Sequence, residues 1–240
     1  MLLVIGGIKG GSGKTTIATN LAVCFARLGL KTLLVDADEQ KSATSWAEQR
    51  ENYYTEVMIS KKKASPTSFM DAEEIKSFDF PTISLGGKFM YQQLQRLKED
   101  YEIIIVDTGG RDTTTQRAAL TVADKFLVPF KPRSLDVWTL GDVKRLIDEI
   151  HSINPLLSCY YLINQGDSRG SDNEDAMEII SELDCLKMVP QVIGYRKAFS
   201  NAAAEGLSVW EIDKRDGKAC LEMWNCASYI YYKDINEMPF

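Results

Sequence analysis

The chain has 240 residues, of which 45% are hydrophobic, and a formal net charge of −6 at pH 7. That length and apolar fraction suit one sizeable α/β domain over residues 1–240, and no apolar run reaches the ~20 residues of a membrane span. The acidic balance excludes a protein-wide basic surface while leaving room for a local patch.

The first predicted strand, Leu2-Leu3-Val4-Ile5, starts at once, which predicts neither a signal peptide nor a domain ahead of it. It feeds Gly7-Ile8-Lys9-Gly10-Gly11-Ser12-Gly13-Lys14-Thr15-Thr16, followed by apolar residues at helical spacing: Ile17, Leu21, Cys24, Phe25 and Leu28. Strand, glycine loop and helix is the context a phosphate-binding loop needs. The strict G-x-x-x-x-G-K-[ST] spacing fails by one residue, because Ile8 stands where the first glycine belongs. What remains is the part that meets phosphate. Gly10, Gly11 and Gly13 let backbone N–H groups turn inward, and the helix start adds its positive end. Lys14 reaches the β- and γ-phosphates, and the Thr15 hydroxyl suits a magnesium ion. The plain alternative is a glycine-rich turn, which would not require Gly-Lys-Thr-Thr.

A second strand, Lys31–Asp38, ends in Asp36 and Asp38. In a doubly wound sheet, strand C-termini face the ligand crevice, so these acids either approach the phosphate loop or cap the next helix. Residues 41–52 read as that helix, carrying Trp46. Residues 53–80 read as an excursion. There Lys61–Lys63 is a solvated loop, and Ser65-Pro66-Thr67 turns into a short helix with Met70 and Ile75 inward. After Leu85-Gly86-Gly87, a helix places Leu94 and Leu97 on one face. Glu102–Asp107 is a continuous apolar run ending in acid, the pattern of a buried parallel strand. Arg111 either contacts a second subunit or pairs with Asp112.

Lys125–Phe130 is a further buried strand, and Leu140, Val143, Leu146, Ile147 and Ile150 give the next helix a core face. His151, the only histidine, closes that helix and lacks neighbours for a metal site or a catalytic dyad. Leu156–Ile163 is a strand followed by Asn164-Gln165-Gly166-Asp167, either a turn or a base contact. Met188–Ile193 is a strand with Pro190 inside it, which places it toward the sheet edge. The last helix puts Cys220, Met223, Trp224, Ala227, Ile230 and Tyr231 on one face. The five cysteines (Cys24, Cys159, Cys185, Cys220, Cys226) form no C-x-x-C pair and suit free thiols in a reducing cytosol.

Lys9-Gly10-Gly11-Ser12-Gly13-Lys14-Thr15-Thr16 resembles the deviant Walker A box of the ParA/MinD family of P-loop ATPases. Residues 33–40 and 102–112 resemble its Walker A′ and Walker B segments, and the likeness to short ParA-type partition ATPases runs through nearly the whole chain. The resemblance implies a doubly wound, mainly parallel sheet with helices on both faces. It also implies ATP and Mg²⁺ as ligands of the loop from Lys9 to Thr16. Lys9 would cross to the ATP of a partner subunit, Lys14 would bind phosphate, and Asp38 would position the attacking water. Thr15, Asp36 and Asp107 would form the magnesium environment. Asn164 would contact adenine and Pro190 would sit on the pocket's other wall. Arg196 and Lys197, at the rim of the dimer, would touch DNA phosphates, unless they are simply an exposed helix start.

The function so implied is an ATP-sandwich homodimer that binds DNA nonspecifically and drives plasmid or chromosome partition. A ParB-like centromere-binding adaptor would stimulate hydrolysis. The protein would be cytoplasmic, and nucleoid-associated when ATP is bound. The end of the last helix is not basic and amphipathic, so no membrane anchor is expected. A nitrogenase-reductase-like role needs cysteines soon after Asp107, and none occurs before Cys159. A bacterial tyrosine-kinase-like protein would explain Tyr229, Tyr231 and Tyr232 but lacks its N-terminal extension. A positioning ATPase for a cargo other than DNA is the serious competitor.

Overall fold

Each strand of the central sheet is written for two faces. In β1 (Leu2–Ile5) all four residues are buried. Leu2 and Val4 join one core, while Leu3 and Ile5 join the other, because successive side chains of a strand point to opposite sides. Burying such a Leu or Ile contributes about 1.5–3 kcal/mol each, so the apolar runs of the sequence become the middle layer. The computed structural model describes residues 1–64, 80–132, 137–167 and 171–232.

Seven strands form one sheet in the order β3-β2-β4-β1-β5-β6-β7, and every pairing is parallel. The others are β2 (Thr32–Ala37), β3 (Thr82–Ser84), β4 (Ile103–Thr108), β5 (Lys125–Phe130), β6 (Ser158–Gly166) and β7 (Lys187–Gly194). The helices are α1 (Lys14–Arg27), α2 (Ser42–Ala64), α3 (Met90–Asp100), α4 (Thr114–Leu120), α5 (Val137–His151), α6 (Asp172–Ser181), α7 (Lys197–Ala204) and α8 (Gly217–Tyr232). One core takes Phe25 of α1, Trp46 of α2 and Met223 of α8. The opposite core takes Leu94 of α3, Ala119 of α4, Leu146 of α5 and Ile180 of α6. Helices therefore cover both faces, as a parallel sheet requires.

The chain leaves β1 through α1 toward β2, and leaves β4 through α4 toward β5 on the other side. The neighbours β1 and β4 thus mark the switch point, where ligands of such sheets bind beyond the strand C-termini.

Several expectations change. Helix α2 runs to Ala64 instead of ending near residue 52, so Lys61–Lys63 lie on a helix and not in a loop. No glycine or proline interrupts residues 42–64, and good helix formers carry it onward. The expected turn at Ser65-Pro66-Thr67 and helix around Met70 and Ile75 lie outside the described residues. Strand β3 has only three residues and α4 only seven, too short for the period of either to show in the sequence. In α8, Met223, Ala227 and Ile230 are buried as expected, but Trp224 is 38% exposed and Cys226 takes the interior place. All five cysteines are free, and Cys24, Cys159 and Cys226 are buried.

Candidate functional site

The phosphate loop closes β1 and opens α1. Gly11 and Gly13 have φ of 74° and 86°, the left-handed region where side-chain-bearing residues are strained. Lys14, the first residue of α1, is buried, and its Nζ donates to the Lys9 carbonyl at 3.1 Å. Burial pushes its pKa down, while Asp107 and Asp38 oppose that shift. Backbone groups, a desolvated cation and a helix N-terminus therefore converge on one spot.

Asp36 and Asp107 stand opposite each other in the β2–β4 register, and both are fully buried. Their partners differ. Asp107 Oδ2 accepts the Thr15 hydroxyl at 2.7 Å, whereas Oδ1 is buried with no partner. Burial is the main force raising the Asp107 pKa to about 7; the Thr15 hydrogen bond opposes it and the charge of Asp36 adds to it. Asp36 has both oxygens engaged: Oδ1 accepts the Asp38 N–H, and Oδ2 accepts the Thr44 N–H and hydroxyl at 2.7 Å each. Asp36 therefore caps the start of α2 while its charge lies beside Asp107. At Asp107, an unpartnered buried carboxylate oxygen beside the Thr15 hydroxyl fits a divalent cation.

Asp38, half-buried, accepts the Gln40 N–H and faces Gly109. It lines a cleft of about 840 Å³ with Gly10, Lys14, Thr15, Gly110 and Arg111. The loop after β4 packs tightly over the phosphate loop. A Cβ at Gly110 would meet Gly10 Cα at 2.5 Å, a collision with backbone that no rotamer relieves. Gln116, buried in α4, joins the two loops: its Oε1 accepts the Gly7 N–H at 3.1 Å and lies 2.8 Å from the Thr108 hydroxyl. Asp112 pairs with Arg117 at 2.6 Å, so of the two readings of Arg111 its pairing with Asp112 is not seen, and Arg111 lines the cleft.

Asn164 is buried at the end of β6, with its Nδ2 donating to the Ser12 carbonyl at 2.7 Å. It buttresses the phosphate loop and also lines a side cavity with Thr16, Gln165, Tyr195 and Lys197. Pro190 is exposed in the middle of the edge strand. A neighbouring cleft is lined by Val192, Gly194 and Tyr195, and its lining does not include Pro190. Arg196 is tied to Glu222 and Asp216. Lys197 is exposed, as are Lys214, Arg215 and Lys218 nearby in the chain. No motif in the sequence marks those three, and none marks Gln116. Among the described residues, no group of three or more His, Cys, Asp or Glu could hold a metal by itself. A cation here would depend on phosphate oxygens as well as on protein.

Comparison with known proteins fits this geometry. The maintenance of carboxysome distribution protein A of Halothiobacillus neapolitanus is 25% identical over 222 residues, covering 92% of each chain. The sporulation initiation inhibitor protein Soj of Bacillus subtilis is 25% identical, over 89% of this chain and 92% of its own. A putative plasmid partition protein of Borrelia burgdorferi, solved with AMPPNP, superposes with a TM-score of 0.68 at 22% identity, covering 98% of this chain and 99% of that one. The family described as the CobQ/CobB/MinD/ParA nucleotide binding domain matches residues 3–209. With that span and this phosphate loop, the chain belongs to the CobQ/CobB/MinD/ParA nucleotide-binding family.

Proposed function

We propose that this chain is an Mg²⁺-dependent ATPase that closes into a two-fold dimer around two ATP molecules and binds DNA nonspecifically in that state. The observation that carries the reading is the Thr15–Asp107 pair, with the bare Asp107 oxygen set beside the desolvated Lys14. Bound Mg²⁺ would neutralise charge on the β- and γ-phosphates as phosphoryl transfer proceeds. Asp107 and Thr15 hold its position. Lys14 and the N–H groups from Gly10 to Thr16 cradle the phosphates, and Asp38 orients the attacking water. Lys9, exposed on the loop, supplies a cation to the second subunit's nucleotide, coupling charge neutralisation to dimerisation. Asn164 and the wall at Val192–Tyr195 hold the adenine.

In the dimer, Lys197 with Lys214, Arg215 and Lys218 would form a doubled phosphate-binding surface, where two weak patches act as one. Hydrolysis stimulated by a ParB-like adaptor would separate the subunits and release DNA, driving partition in the cytoplasm and over the nucleoid. Among the described residues, no helix is long and apolar enough to cross a membrane. The likeness to a carboxysome-distribution protein favours a second reading, in which the same cycle positions a cargo other than DNA.

The test is sedimentation and DNA binding with AMPPNP, with ADP and without nucleotide, across a salt series. AMPPNP should give a dimer that binds DNA with steep salt dependence, and Lys9→Ala should lose the dimer. DNA binding that ignores nucleotide, or none at low salt, favours the other cargo. A chain that stays monomeric with AMPPNP and Mg²⁺ overturns the cycle itself.

A further inference from the structure

From the flank of the phosphate loop we infer a third phosphate-binding lysine, Lys131, which deepens and rests on the nucleotide reading above. Lys131 follows the last residue of β5, the strand that pairs with β1 on one side and β6 on the other. Its ammonium lies against the loop: a methyl group added to Gly11 would sit 4.0 Å from Nζ. On one side it borders a small cavity beneath Ile8, Lys9, Gly10 and Ser12. On the other it opens onto a cleft of about 540 Å³ with Gln165, Asp167, Gly194 and Tyr195.

Its surroundings distinguish it from the other cations nearby. Arg196, across the same cleft, is neutralised by Glu222 and Asp216. Lys14 is held by the Lys9 carbonyl. Lys131 is half-buried, and among the described residues no hydrogen bond or ion pair reaches its ammonium. An unpaired ammonium against Gly11 adds positive charge at the flank of the phosphate loop, next to the cleft that holds Lys14 and Thr15, and phosphate oxygens are the complementary ligand. The nucleotide's phosphate chain supplies them, either in the same subunit or across the two-fold from the second.

The experiment uses the full chain with Lys131→Ala, Lys131→Gln and Lys131→Arg, and Lys14→Ala as the reference for a dead site. Affinity for AMPPNP and ADP is measured at a protein concentration where sedimentation shows monomer, and dimer formation is then followed as concentration rises. Loss of a charged contact to phosphate should cost roughly tenfold or more. Weaker AMPPNP binding by the Ala and Gln monomers places Lys131 on its own subunit's nucleotide. Unchanged monomer affinity with dimerisation weakened by that factor places it on the second subunit's nucleotide. In either case Lys131→Arg should retain most of the wild-type behaviour, and the melting temperature without nucleotide should not move. Wild-type affinity and dimerisation in Lys131→Ala overturn the assignment and leave the nucleotide site standing, as does an Arg variant as impaired as Ala. A wild-type chain that binds no AMPPNP overturns both.

Discussion

At the start of α2, Asp36 caps the helix beside Asp107, whose second oxygen has no partner. Further along the same helix, Arg50 meets Glu211 through two hydrogen bonds of 2.9 and 2.7 Å. Glu211 also accepts the Tyr54 hydroxyl and the Ser208 N–H and hydroxyl. The Arg50 guanidinium lies over the rings of Trp46, Tyr54 and Phe80. Both clusters bury charge, yet one satisfies it and the other does not. Burial opposes ionisation of Glu211, but Arg50 and Ser208 outweigh it and hold its carboxyl below the usual range. Nothing in the protein does as much for Asp107. A completed network reads as a fastener between α2 and the segment after α7. An uncompleted one reads as a place kept for a ligand.

The sharpest way to break this contrast is to remove one partner from the completed cluster. Arg50→Ala strands a buried carboxylate and should cost about 3–5 kcal/mol of stability in urea unfolding. Replacing the pair together, Arg50→Met with Glu211→Leu, should recover most of that loss. If Arg50→Ala is instead tolerated and nucleotide binding fails, the cluster belongs to the site. Asp107→Asn should do the reverse, cutting turnover about 100-fold while the nucleotide-free protein melts no lower than wild type. A melting loss comparable to that of Arg50→Ala would mean Asp107 is structural.

Gly110→Ala probes the seam between the loops. The added methyl meets the Gly10 backbone, so one loop must shift, at a cost of about 1–3 kcal/mol. AMPPNP binding should weaken with it. Normal binding in Gly110→Ala would show that the two loops separate freely in the working protein.

The same contrast explains what the sequence disclosed. Lys9–Thr16, Asp38 and Asp107 each sit in a short run at a strand end, so motif and position coincide. The strands of the sheet were visible as apolar runs for the same reason, apart from the three-residue β3. Gln116 meets Gly7 across 109 positions, and Arg50 meets Glu211 across 161, so no local pattern announces either contact. Arg196 looked like a surface cation because Glu222, which neutralises it, comes from a helix 26 residues on. Asp36 is ambiguous for a different reason: its position serves both readings, since it caps α2 through Thr44 while lying opposite Asp107.

The pH dependence of stability, measured without nucleotide or metal, makes the smallest demand on the molecule and separates the two clusters by sign. Glu211 has a lowered pKa in the fold. Its contribution is therefore intact above the ordinary value of 4.5 and fades as pH drops through the lowered one. Asp107 is shifted the other way, from 3.8 to about 7. Between those values the folded chain holds a proton that the unfolded chain has released, so stability falls as pH rises across that window. Glu211→Gln should flatten the acid limb, and Asp107→Asn should flatten the decline toward neutrality. Each variant should leave the other limb in place, because the two carboxylates share no hydrogen-bond partner. A single substitution that removed both limbs would show one coupled network where the structure has two.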